Sequence, residues 1–101
     1  MKQCCSAFLM EQFGDEDVVN EIYEEYANSI KEKLAEAETA LAAGQWTDLD
    51  HVVHAVKGNA LATGDTEVAN VAIALRTAAK LSDKAEARAL LDKLIELAKD
   101  I

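Results

Sequence analysis

Hydrophobic positions along the chain recur at steps of three and four residues, and no long stretch alternates between apolar and polar positions. Steps of three and four place apolar side chains on one face of an α-helix, whereas alternation is typical of a half-buried strand. The clearest stripe comprises Val19, Ile22, Tyr23, Tyr26, Ile30, Leu34, Ala37 and Leu41. This spacing predicts a helix of about 28 residues, which Asp15 would cap and Gly44 would end.

Capping residues and glycines divide the rest of the chain into one short and three long helices. The short helix is predicted over about residues 4–12, before Gly14. The side chains expected to face the rest of the protein are Phe8, Leu9 and Phe13. The capping residues of the long helices are Thr47 with Asp50, either Asp65 or Thr66, and Asp83 with Glu86. Gly64 would end the first of these three helices.

The last two helices carry apolar stripes of their own. These comprise Val68, Val71, Ala72, Leu75 and Ala79, followed by Leu90, Leu91, Leu94, Leu97 and Ile101. Long amphipathic helices with short connections pack as antiparallel neighbours. The expected fold is therefore all-α, an up-down-up-down four-helix bundle with a short extra N-terminal helix, formed as a single domain by residues 1–101.

Charge and composition exclude several classes of function. The chain has 10 Lys and Arg against 19 Asp and Glu, a formal charge of -9. This balance argues against binding to nucleic acid or to an anionic membrane surface. No apolar run is long enough for a bilayer span or a signal peptide. The adjacent Cys4 and Cys5 cannot form a disulfide framework and suit a reducing compartment, so we expect a cytoplasmic monomer.

His54 lies on the predicted solvent face of the helix over about residues 47–63. On a helical wheel the opposite, core-facing side comprises Leu49, Val52, Val56, Ala60 and Thr63. Within about 60° of His54 lie Thr47, Asp50, His51, Lys57, Gly58 and Leu61. A glycine inside a helix costs about 1 kcal/mol relative to alanine. On this face it would uncover the imidazole, although a close helix-packing contact is an alternative interpretation of Gly58.

The run His54-Ala55-Val56-Lys57-Gly58, with Gly64 closing the helix, resembles the signature of histidine-containing phosphotransfer (Hpt) domains. The resemblance implies that His54 accepts a phosphoryl group from the aspartyl phosphate of a response-regulator receiver domain and passes it to another receiver. Lys57 would balance the phosphoryl charge and Gly58 would give access. Such a carrier has no kinase core and needs no cofactor or metal of its own. Its partners would be receiver domains, with a hybrid histidine kinase as a further candidate.

Other residues on this surface are candidates for partner contacts or depart from the family pattern. The partner-binding candidates are Asp50, His51, Leu61 and Arg76. Arg76 stands where the family usually has Gln or Glu, and it cannot accept a hydrogen bond from an imidazole N–H. It could instead pair with phosphoryl oxygens or with nearby acids, or be an ordinary surface arginine. Asn59 and Val53 stand where smaller residues are usual.

Four alternatives remain open from the sequence. His51 and His54 have a spacing that could place two ligands on one metal ion, and His51 could itself be the phosphoacceptor. The bundle could be a helical adaptor that is never phosphorylated. It could also be the phosphotransfer domain of a larger hybrid or chemotaxis-type kinase, although a free-standing protein is the first expectation.

Overall fold

The computed structural model describes residues 1–101 as five α-helices without a strand, which confirms the predicted all-α fold. The helices are α1 (Gln3–Phe13), α2 (Glu16–Ala42), α3 (Trp46–Thr63), α4 (Thr66–Lys80) and α5 (Lys84–Ala98). Successive long helices pack against one another, α5 also packs on α2, and α1 contacts α2 and α3. The chain thus forms an antiparallel four-helix bundle with an extra N-terminal helix. None of the helices is long and apolar enough to cross a membrane.

Three aspartates cap helices as predicted. Asp15 accepts hydrogen bonds from the backbone N–H groups of Asp17 and Val18 at the start of α2. Asp65 and Asp83 cap α4 and α5 in the same manner. Each bond satisfies a backbone amide that has no partner within its own helix, so these positions set where the helices begin.

The predicted capping box at Thr47 and Asp50 is wrong. α3 begins at Trp46, and Gln45 at its N-cap makes no side-chain capping bond. Asp50 lies inside α3 and bonds instead to Arg76 on α4. A guanidinium offers this carboxylate a charge-assisted hydrogen bond, which is stronger than a bond to a neutral backbone amide.

Gly64 determines how α1 crosses the end of α3. Its φ of +79° lies in the left-handed region, and a Cβ at this position would lie 2.5 Å from the Cβ of Phe8. Both observations require glycine here, as the end of a helix often does. The close approach lets Phe8 pack partly buried against the core.

The core is aliphatic and fits most of the predicted stripes. All five stripe positions of α4 are buried, and so is the α2 stripe except the half-buried Ile22. In α3, Val53 is fully buried whereas Val52, expected on the core face, is only half-buried. In α5, Leu91 and Leu94 are buried, and Leu90 and Leu97 pack only partly against the core. Ile101, which was expected in this helix, lies beyond its end and is also partly buried.

Phe13 was expected to face inward and is instead 52% exposed. It is the last residue of α1, and the left-handed turn at Gly14 follows it. The inward positions of α1 are Cys5 and Leu9, each 0% exposed. They lie four residues apart, so they form a narrower stripe than the sequence suggested.

A buried polar cluster ties the N-terminal segment to the bundle. Asp65 is 1% exposed, and its Oδ2 accepts hydrogen bonds from the Tyr26 hydroxyl at 2.8 Å and from the Lys2 Nζ at 2.9 Å. The backbone N–H of Lys2 also donates to the Tyr23 hydroxyl. A buried carboxylate is tolerated only when it is paired and hydrogen-bonded, and Asp65 satisfies both conditions. The cluster therefore joins the segment before α1 to α2 and to the start of α4.

Candidate functional site

His54 projects from the exposed face of α3, opposite the residues that bury the helix. The buried residues on the other side are Leu49, Val53, Val56 and Ala60. These side chains fix the rotation of α3 about its axis, since turning the helix would expose them. The imidazole is thereby held outward by the packing of the core.

Arg76 on α4 reaches across to α3 and contacts both His54 and Asp50. Its Nε donates to Oδ1 of Asp50 at 2.9 Å, and its Nη1 lies 2.9 Å from Nδ1 of His54. The side chains of Arg76 and Asp50 are 23% and 22% exposed, so the pair is largely covered by protein. The guanidinium holds the pKa of the Asp50 carboxyl below its usual range, chiefly through this hydrogen bond. Asp50 is thus an anchor for Arg76 rather than a helix cap.

The two ring nitrogens of His54 therefore have different surroundings. A guanidinium has only N–H donors, so the nitrogen that faces it must act as an acceptor. Nδ1 is that nitrogen, and Nε2 is the ring nitrogen that Arg76 leaves free.

Gly58 lies one turn after His54 on the exposed face of α3. A Cβ at this position would have no neighbouring atom within 4 Å. The interpretation of Gly58 as a close helix-packing contact therefore has no support in the structure, in contrast to Gly64. What the glycine does provide is a bare stretch of helix beside the imidazole.

Comparison with protein families decides where this arrangement belongs. A family model described as Hpt domain matches residues 21–101. The chain belongs to the Hpt domain family. Comparisons with curated proteins and with solved structures gave no significant match. The matched range begins within α2. All of α1 lies before it, and so does Lys2 of the polar cluster.

Membership of the Hpt family makes this chain a histidine phosphotransfer module of two-component signalling. Modules of this kind interact with receiver domains and histidine kinases in phosphorelays. The family resemblance predicted from the run between His54 and Gly58 is confirmed.

The two histidines of the Hpt chain face different neighbouring helices. His51 lines a groove between α2 and α3 with Ala35 and Glu36 of α2. His54 instead contacts α4 through Arg76. No group of three or more His, Cys, Asp or Glu side chains is placed to hold a metal ion.

The exposed face around His54 carries a cation and apolar side chains. Lys57 is half-buried on the same turn of α3 as Gly58. Leu61 is 51% exposed, one turn beyond Lys57. Ile73 on α4 is 48% exposed and lies three residues before Arg76. Ile73 was not predicted from the sequence as part of this surface. Its position outside the apolar stripe of α4 does indicate an exposed apolar side chain.

The two departures from the usual Hpt pattern in α3 have structural explanations. The side-chain amide of Asn59 donates to the Ser29 hydroxyl at 2.9 Å, which joins α3 to α2. Val53 is fully buried and fills the core. Neither residue makes a hydrogen bond to the His54 ring.

Proposed function

We propose that this Hpt domain is a phosphorelay intermediate, in which His54 accepts a phosphoryl group from the aspartyl phosphate of one receiver domain and passes it to another. The observation that carries the proposal is the exposed His54, whose Nε2 makes no hydrogen bond within the protein, beside a glycine whose Cβ position is empty. A nucleophile that must meet the active site of another protein has to stand clear of its own surface. Such a carrier works with the catalytic groups of its partner and needs none of its own.

The transfer step uses the chemistry of a neutral imidazole. The lone pair of Nε2 attacks the phosphorus, the new N–P bond forms, and the P–O bond to the aspartyl carboxylate breaks with its electrons staying on the carboxylate. In the reverse reaction, the aspartate of a second receiver attacks the phosphorus and the N–P bond breaks with its electrons on Nε2. A neutral imidazole is available near physiological pH, which suits a residue that must gain and lose a phosphoryl group repeatedly.

Charge balance around the phosphoryl group comes from side chains and from the partner. Lys57 lies three residues after His54, close enough on the helix surface for its ammonium to approach a phosphoryl group on the ring. The receiver would supply the metal ion and the acidic pocket, so this chain would require no metal or nucleotide. We propose that Asp50, His51, Leu61 and Arg76 contact the receiver. We also propose that the protein is a cytoplasmic monomer that forms one domain.

Phosphoryl transfer from isolated receivers tests the proposal. The full chain would be incubated with each phosphorylated receiver domain of its host, and the label followed on gels that preserve acid-labile phosphate. We expect at least one receiver to label the wild type and to leave His54→Gln unlabelled, with both proteins equally helical. The matched variant His51→Gln should still be labelled on His54, because the His51 ring lines the groove between α2 and α3 and its loss removes at most one contact with the receiver.

Two results would contradict the proposal. Labelling that survives in His54→Gln and disappears in His51→Gln would show that His51, and not His54, accepts the phosphoryl group. Stable binding of receivers with no labelling of any kind would indicate the helical adaptor. Labelling distinguishes the adaptor from the phosphotransfer domain of a larger kinase, because only the phosphotransfer domain would be labelled on His54.

A further inference from the structure

Arg76 constrains the protonation of His54 as well as its position. Its Nη1 lies 2.9 Å from Nδ1, and its Nε is fixed by Asp50 at the same distance. A guanidinium stays protonated and only donates, so Nδ1 must present its lone pair. A neutral imidazole carries a single N–H, and in this geometry that proton lies on Nε2.

This tautomer is the wrong one for attack by the free nitrogen. With a proton on Nε2, the nitrogen that faces a partner has no lone pair to offer. Attack by Nε2 requires the proton to lie on Nδ1, where it would point at the Arg76 guanidinium. His54 can therefore react only after Arg76 withdraws from Nδ1.

The same contact opposes loss of the phosphoryl group once it is attached to Nε2. The N–P bond breaks most easily when Nδ1 is protonated, because the ring then leaves as neutral imidazole rather than as an anion. Arg76 favours an unprotonated Nδ1, by donating a hydrogen bond to it and by placing a positive charge beside it. The phosphorylated ring would thus be held in its less labile form.

We propose that Arg76, anchored by Asp50, is a positioning residue that keeps Nδ1 of His54 a hydrogen-bond acceptor and so slows both the gain and the loss of the phosphoryl group. The proposal rests on His54 being the phosphoacceptor. On phosphorylation, Nε2 of the Nδ1–H tautomer forms the N–P bond while the donor's bond to phosphorus breaks with its electron pair on the donor. The Nδ1 proton then passes to solvent as Arg76 returns to the ring.

The tautomer of His54 gives a direct test that needs no phosphoryl transfer. Nitrogen-15 NMR of the histidine rings at about pH 8.5, where imidazoles are neutral, distinguishes the two tautomers. We expect the Nε2–H form to be more fully populated in His54 than in the exposed His51. Arg76→Gln, whose amide oxygen can accept from a ring N–H, should shift His54 toward the Nδ1–H form. Arg76→Lys, which keeps a charged donor, should restore much of the wild-type population.

Phosphorylation kinetics give the second readout, with phosphoramidate as a small donor that requires no docking surface. A hydrogen bond to a charged group is worth enough to change a rate by about tenfold. We expect Arg76→Gln to be phosphorylated about five- to tenfold faster and to lose its phosphoryl group faster by a similar factor. The matched control is Arg88→Gln, because Arg88 pairs with Glu38 and Asp92 on another part of the surface. That variant should behave as wild type in both measurements.

Each contrary result has a defined meaning. If Arg76→Gln shortens the phosphohistidine lifetime but does not speed its formation, Arg76 binds the phosphoryl oxygens and the proposal is wrong. An unchanged tautomer population in Arg76→Gln also overturns it, even if His54 is labelled normally. If receivers fail to label His54 at all, the proposed function fails, and that result is independent of the NMR comparison.

Discussion

The open space beside Gly58 predicts how substitutions at this position change the stability of the domain. Because a Cβ would meet no atom within 4 Å, alanine fits without any shift of the neighbouring residues. Alanine is the better helix former by about 1 kcal/mol, and its smaller loss of backbone entropy acts in the same direction. We therefore expect Gly58→Ala to raise the free energy of unfolding by up to about 1 kcal/mol. In a domain of this size that corresponds to about 4–8 °C in Tm.

Gly58→Gln separates stability from access. Its longer side chain would extend from the exposed face of α3 into the space in front of His54. We expect its Tm to be equal to or higher than that of the wild type, while phosphoryl transfer from a receiver falls at least about tenfold. Phosphorylation by phosphoramidate should be nearly unchanged, because a small donor can pass a side chain that blocks a protein surface. Thermal unfolding by circular dichroism and timed transfer assays supply the two measurements.

Two control variants make the result interpretable. Ala89→Gln introduces the same side chain at an exposed position of α5, which packs on α2 and α4, and should leave transfer unchanged. Gly64→Ala should lower Tm sharply, since its Cβ would collide with Phe8 at a positive φ. If Gly58→Gln lowers Tm sharply while its folded fraction transfers at the normal rate, the access argument is refuted.

Three further predictions follow from other contacts. Lys57→Ala should slow phosphoryl transfer or shorten the phosphohistidine lifetime by about tenfold rather than abolish labelling, because a charge contact at a wet surface contributes only about 1–2 kcal/mol; unchanged kinetics would make Lys57 a solvated residue. Burial raises the pKa of the Cys5 thiol to about 12, so iodoacetamide at pH 8 should alkylate the exposed Cys4 and spare Cys5 in the native protein. Equal modification of the two cysteines on peptide mapping would contradict the burial of Cys5. The folded-state pKa of Asp50 is depressed by Arg76, so its contribution to stability is present above the ordinary Asp pKa of about 3.9 and is lost as pH falls below it. The stability advantage of the wild type over Asp50→Asn, at most about 1 kcal/mol for this partly exposed pair, should therefore diminish in urea titrations as the pH is lowered below about 4.

The helices could be predicted from the sequence because each has a local signal. Stripes at steps of three and four marked α2 and α4, and Asp15, Asp65 and Asp83 marked helix starts within one turn. The capping box at Thr47 was misread because its acidic member has a stronger partner on another helix. A capping pattern describes only the residues within one turn, and it cannot register a guanidinium that approaches from α4.

The candidate site was predictable in its residue types but not in its contacts. The spacing of His54, Lys57 and Gly58 on one helix face follows from helical geometry alone. Whether Gly58 served packing or access depended on which atoms lie beside it, and that is a property of the tertiary structure. The sequence left three roles open for Arg76: a partner of nearby acids, a partner of a phosphoryl group, or an ordinary surface arginine. The fold provides Asp50 and the Nδ1 of His54 as its partners.

The central claim is that the phosphoryl group is carried on Nε2 of His54, and one NMR measurement addresses it directly. The chain labelled with nitrogen-15 in its histidines would be phosphorylated by a receiver that transfers to it, and phosphorus–nitrogen couplings would be recorded for both rings. The account predicts coupling to Nε2 of His54 and an unmodified His51. Coupling to Nδ1 of His54, or to either nitrogen of His51, would contradict it.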